Sequence, residues 1–309
     1  MAIGTRLFRA ALLAVAGNRA AKAFASRYGL RLGARQFVAG ETLDEALDQV
    51  RALNAKGIEA TLDHLGEGIR RMGEAEAFKQ EYVRLLDGIR AAGVRSNVSL
   101  KPTQMGIALD PEACYDNIRR IVAAAARHGN FVRLDMEDSP HTDATIGIAR
   151  RLQGEGWTNV GTVIQAYLYR SDDDIRRLTD DPMNLRLVKG AYKEPKSRAY
   201  PRKADVDANF RRLIEARLRS GVYTAIATHD ESVIRDVQAF VQREGIDRAK
   251  YEFQMLYGIR GALQERLAAE GFRVRCYVPY GKMWYPYFVR RLAERPANVL
   301  FVLRNRTKN

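Results

Sequence analysis

Near its C-terminal end the chain reads CYVPYGKMWYPYFVRRLAER, residues 276 to 295. An aromatic-rich run leads into Arg290 and Arg291, with Tyr287 about one turn before them and Glu294 about one turn after. Residues 290 and 291 on a helix diverge by about 100°, so the pair could flank one anion from two sides. A solvated basic helix face would read the same way. The pair alone leaves both readings open, and the elements that would position it decide between them.

From residue 60 the chain repeats one unit: a short apolar, β-branched run, a polar residue, a loop and a helical pattern. The runs are ATLDHL (60–65), RSNVSL (95–100), FVRLDM (131–136), VGTVIQA (160–166), LRLVK (185–189), YTAIAT (223–228), YEFQML (251–256) and RVRCYV (273–278). Their starts lie 22 to 38 residues apart, the length of one βα unit. Helix boundaries are legible between them. Asp110-Pro111-Glu112 supplies an N-cap, a proline at the first helical position and an early acid, and that helix closes at Gly129. Eight alternating units predict an α/β fold, a (β/α)8 TIM-type barrel over residues 60–309. Residues 1–59 become extra helices packed outside it, and the 284–294 segment is a helix after strand eight.

Chemistry in such barrels sits at the C-terminal strand ends. Those positions hold Glu67, Lys101, Asp135 with Glu137, Gln165, Lys189, His229, Leu256 and Tyr277. Lysines at two ends do not cap helix N-termini, so the mouth is predicted to take something anionic or rich in acceptors. Metal chemistry is not indicated. His64, His128, His141 and His229 form no HxH or HExxH pair, and the carboxylates are not clustered as a hard-cation cage requires. GxSxG and Walker A loops are absent. LGEGIRRMG (65–73) has its third glycine misplaced for a dinucleotide loop, so a nucleotide cofactor would be held in a non-Rossmann manner.

Composition narrows the partners. Lys and Arg outnumber Asp and Glu by 51 to 37, a formal net charge of +14 over 309 residues, which favours anionic partners. The arginines mostly sit beside acids on helical faces, as in DDDIRRL, so a nucleic acid is not the expected one. Cys114 and Cys276 are the only cysteines and suggest a reduced, cytoplasmic setting. No apolar run approaches the roughly 20 residues that span a bilayer, and MAIGTRLFRAALLAVAG reads as an amphipathic first helix.

With these residues assembled, the chain resembles the proline dehydrogenase family, monofunctional bacterial branch. NVSLKPTQMG is similar to the family's second-strand motif and LDMEDS to its third. RLVKGAY, ATHD and FQMLYGIRG resemble strands five to seven, and RCYVPYGKMWYPYFVRRLAER resembles strand eight with the substrate helix. The resemblance implies FAD as cofactor and L-proline oxidised to Δ1-pyrroline-5-carboxylate by hydride transfer from C5 to flavin N5. It also implies a membrane quinone as electron acceptor and a separate pyrroline-5-carboxylate (glutamate-semialdehyde) dehydrogenase downstream. By position, Lys101, Arg290 and Arg291 bind the carboxylate, Tyr277 and Tyr287 wall the ring, and Leu256 packs on it. Asp135 pairs with Arg291, and Glu67 with Arg290 as a gate. Gln165, Arg186, Val188, Gly190, Ala191, Arg202, Thr228, His229 and Glu294 line the flavin or active site. Arg186 and His229 are candidates for the cation beside the flavin N1–C2=O edge.

On that implication the arginine pair has a physical purpose. Proline offers one carboxylate and little else to grip, and two planar guanidiniums with the Lys101 ammonium suit its oxygens. The net charge and the need to reach a lipid-soluble quinone imply peripheral contact with the anionic inner face of the cell membrane. An alternative substrate is 4-hydroxyproline or another cyclic amino acid, against which Tyr277 argues by leaving little room for a hydroxyl. A basic barrel that binds nucleic acid or membrane without catalysis is the non-enzyme alternative.

Overall fold

The structure is a computed structural model that describes residues 34–66 and 68–294. The expected first helix and the side chains of Glu67 and Glu294 lie outside the described residues. Eight strands are formed: β1 (Glu59–His64), β2 (Ser96–Leu100), β3 (Val132–Leu134), β4 (Val160–Gln165), β5 (Asn184–Val188), β6 (Thr224–Ala227), β7 (Tyr251–Leu256) and β8 (Val274–Tyr280). They close in chain order as a parallel barrel. The seam pairs β1 with β8, Ala60 facing Cys276 and His64 facing Tyr280. Helices α1 (Leu43–Ala55), α2 (Met72–Ala92), α3 (Pro102–Met105), α4 (Pro111–Arg127), α5 (Thr142–Gly154), α6 (Ser171–Asp180), α7 (Lys203–Arg219), α8 (Glu231–Glu244), α9 (Gly261–Ala269) and α10 (Trp284–Glu294) alternate with them.

Local chemistry sets the boundaries. Asp110 accepts from Glu112 N and Ala113 N with Pro111 at the first helical position, and Asp230 accepts from Ser232 N to start α8. Strand parity then divides the residues. Leu62, Val98, Leu100, Leu134, Leu187, Phe253 and Val278 face outward and are at most 1% exposed beneath the helices. Burial of each such side chain is worth roughly 1.5–3 kcal/mol. The opposite parity faces the lumen, and here it is polar where branched apolar residues dominate most barrels of this type. Arg186 of β5 reaches Ser99 of β2 and Asp135 beyond β3, contacts possible only across the interior.

The last slot of the outer ring is filled in an unusual way. Helix α1, which precedes the barrel, packs against β1 and β8. Helix α10, which follows β8, instead joins Ala34, Phe37, Val38 and Leu65 in a separate apolar cluster through Trp284 and Tyr287. Gly281 makes that turn, with φ +119 and a Cβ position 3.0 Å from the His64 ring. The 34–41 arm is clipped to the same turn by Ala39 N donating to Pro279 O and Gly281 N donating to Gly40 O, both at 2.9 Å.

Candidate active site

Lys101 follows β2 and precedes Pro102, whose ring disfavours helical backbone at 101. Its φ of −99° and ψ of 124° continue the strand, so the side chain keeps the lumen-facing parity of Asn97 and Ser99. There its Nζ meets both oxygens of Asp63, at 2.9 and 2.7 Å. Asp63 is 1% exposed. Burial pushes the Lys101 ammonium down, but the carboxylates of Asp63 and Asp135 outweigh it and hold its pKa above the ordinary lysine value. Lys101 is therefore a fixed cation at neutral pH.

Across the lumen, Arg186 spends three of its nitrogens on fixed partners. Nη1 donates to Asp135 Oδ1 at 2.7 Å, Nη2 to Ser99 Oγ at 3.0 Å, and Nε to Gln254 Oε1. The second oxygen of Asp135 accepts the Tyr277 hydroxyl at 2.7 Å. Asp135 meets these two partners because 135, 186 and 277 share the inward parity of their strands. Tyr277 lies three residues inside the end of β8, opposite Leu256 of β7. Burial and the neighbouring Asp135 carboxylate drive its pKa far up, so it remains a phenol.

Other expected residues take mixed positions. Gln165 Nε2 donates to Glu137 O at 2.8 Å, and Glu137 accepts from Thr103 N and Oγ1 at 2.9 and 2.7 Å. Val188 closes β5, and Thr228 Oγ1 accepts from Asp230 N at 3.1 Å. His229 Nε2 accepts from Leu256 N at 2.9 Å. The missing side chain of Gly190 (φ +110) makes room for the Tyr167 ring, 2.3 Å from where a Cβ would stand. Ala191 is exposed beside it, and Arg202, also exposed, pairs with Asp205 at the start of α7. Lys189 is a correction to the reading of the mouth. One residue past β5, it turns outward to Asp207 and to Asp230, the cap of α8, at 2.7 and 3.1 Å.

Helix α10 brings the arginines over this mouth. Trp284 anchors it, 1% exposed, with Nε1 donating to Glu41 Oε1 at 2.9 Å. Arg291 lies 5.1 Å over the Tyr287 ring, one turn earlier, as the i, i+4 spacing requires. Arg290 is exposed, and its charge opposes those of Glu137 and Asp135 at the Tyr192 phenol, which burial pushes up. The Glu67–Arg290 gate lies outside the described residues.

The proline dehydrogenase family profile matches residues 46–304. A proline dehydrogenase of Deinococcus radiodurans is 46% identical over 307 residues, 98% of this chain and 99% of that protein. Proline dehydrogenase 1 of Bacillus subtilis is 45% identical over 298 residues, 96% of this chain and 98% of that one. The chain belongs to the proline dehydrogenase family. The bifunctional protein PutA of Escherichia coli aligns at 28% identity over 89% of this chain but only 24% of that protein, so the match is to the monofunctional type. The crystal structure of PutA from Bdellovibrio bacteriovorus, described as inactivated by N-propargylglycine, superposes with a TM-score of 0.78 at 26% identity. It covers 84% of this chain and 32% of that one.

Membership makes this protein an oxidoreductase and removes the reading of a non-catalytic basic barrel. Two residues of this proline dehydrogenase site escaped the sequence reading. Asp63 lies inside ATLDHL, where the signal was parity: 61 and 63 share the inward face with Lys101. Tyr192, at the end of RLVKGAY, was quoted but given no task.

Proposed function

We propose that this enzyme oxidises L-proline to Δ1-pyrroline-5-carboxylate with FAD and passes the electrons to a membrane quinone. The observation that carries the reading is a mouth walled by fixed cations and a phenol: Lys101 on Asp63, Arg186 on Asp135, Tyr277 on Asp135, beneath the helix bearing Arg290 and Arg291. When bound, FAD supplies the hydride acceptor for C5 of the ring, at its N5.

The donor set fits that cofactor. Gln165, Val188, Thr228 and His229 end or follow the successive strands β4 to β6, and Arg186, one inward step below the end of β5, is held so rigidly that it can meet an electron-rich edge without reorganisation. Gly190, Ala191, Arg202 and Glu294 would extend the binding surface. Lys101, Arg290 and Arg291 would take the substrate carboxylate, with Tyr277, Tyr287 and Leu256 against the ring and Glu67 closing on Arg290. Lys101 and Tyr277 are both held protonated, and both Asp135 oxygens are occupied. None of these three is set up as a base for the amine proton. Proximity and orientation then carry the rate.

No described helix is long and apolar enough to cross a membrane, and the excess of 14 positive charges supports peripheral contact with an anionic surface. A separate dehydrogenase would consume the product. Turnover of L-proline with a soluble quinone should yield one pyrroline-5-carboxylate per quinone reduced. Quinone reduction without that product would refute the reading.

A further inference from the structure

The lumen-facing residues of β1 and β2 stand in register, Thr61 opposite Asn97, so Asp63 lies level with Ser99 and one inward step below Lys101. Its two oxygens hold the same ammonium from that lower side, at 2.9 and 2.7 Å. An ammonium has three N–H groups. The two oxygens of Asp63 can engage at most two of them, which leaves at least one N–H for another acceptor. We propose that Asp63 is a positioning residue, which takes two N–H bonds of Lys101 and aims the remaining one at the substrate carboxylate. This rests on the reading of Lys101 as a carboxylate ligand.

The burial of Asp63 supports the assignment. At 1% exposure its carboxylate depends on a partner, and Lys101 is its ion-pair partner among the described residues. The Tyr82 hydroxyl, 3.4 Å away, gives its better bond to Ser99 O at 2.8 Å. The other groups that bear on the pair are Asp135 and Glu137 at the end of β3, Arg186 of β5, Tyr277 of β8, and His64 beside Asp63. Without the Asp63 charge, burial that already works against the Lys101 ammonium would be opposed chiefly by Asp135, which Arg186 and Tyr277 already engage. Asp63 would then both aim the ammonium and keep it charged.

Cyclopentanecarboxylate is a suitable probe, because it keeps the carboxylate on a five-membered ring and has no amine to titrate. Its affinity for the FAD-loaded enzyme, measured by calorimetry from pH 7 to pH 9.5, should be flat in the natural protein. In Asp63→Asn it should be about 10-fold weaker at pH 7 and fall further as pH rises, as the loss of a charge-assisted bond predicts. Asp63→Glu should restore the flat profile at reduced affinity, and it serves as the test if Asp63→Asn does not fold. A purely structural Asp63 would lower the melting temperature and leave the pH profile of the folded protein unchanged. Flat, undiminished binding in Asp63→Asn, or full natural affinity in Asp63→Glu, would overturn the proposal. Lys101→Met separates the two levels. Weakened binding there with natural binding in Asp63→Asn defeats only the positioning role, whereas natural binding in Lys101→Met defeats the carboxylate reading beneath it.

Discussion

At the scale of single residues, the site sets cations at two levels, one inside the lumen and one on α10. Arg186 has its nitrogens on Asp135, Ser99 and Gln254, so its guanidinium is a fixed wall. Arg290 is exposed on α10, and Arg291 is half-buried over Tyr287. Replacing Arg290 or Arg291 by Met should lower kcat/KM by about 10- to 150-fold, the worth of one charge-assisted bond. Lysine should rescue only in part, because it lacks the planar fork. Melting temperature and the flavin spectrum should hold in both variants. A surface helix would show the reverse, with natural kinetics and a stability change within about half a kcal/mol.

At the scale of elements, positions were legible where periodicity or a cap spoke, and lost where a single step of parity decided. All eight strands fall within the runs read from β-branched patterning or within two residues of them, and Asp110-Pro111 starts α4 as its residue types require. Lys189 was misplaced by that one step: Arg186 faces the lumen, so alternation along β5 turns 187 and 189 toward the helices. The packing of α10 on the 34–41 arm was hidden for another reason: nothing in WYPYFVRR shows that Glu41 takes the Trp284 indole. Lys189 now has a structural task, holding Asp230 at the start of α8. Burial works against the Asp230 carboxylate, but Ser232 and Lys189 hold its pKa at about 2. Its folded pKa is below the unfolded value of about 3.9, so its contribution is present above about pH 4 and is lost as pH falls toward 2. Asp230→Ala should cost about 1 kcal/mol at pH 7, about 1.5 °C in Tm for a chain of 309 residues, and the deficit should shrink in melts at pH 2 to 3.

At the scale of the whole molecule, the barrel orders a polar lumen in which Lys101 pairs with Asp63 and Arg186 with Asp135, and the chain carries a formal net charge of +14. That charge predicts weak binding to anionic liposomes that high salt abolishes, since surface charges are screened within about 10 Å at roughly 0.1 M salt. Co-sedimentation at two salt concentrations measures it, and salt-resistant binding to neutral liposomes would point instead to an apolar insertion. The central claim concerns the mouth and the electron pair that leaves proline there. Its most direct test is anaerobic addition of L-proline to the FAD-loaded protein while the visible flavin band is followed. The account predicts that L-proline bleaches the band and that D-proline does so poorly. A protein that binds no FAD, or a band that L-proline leaves unchanged, would contradict it.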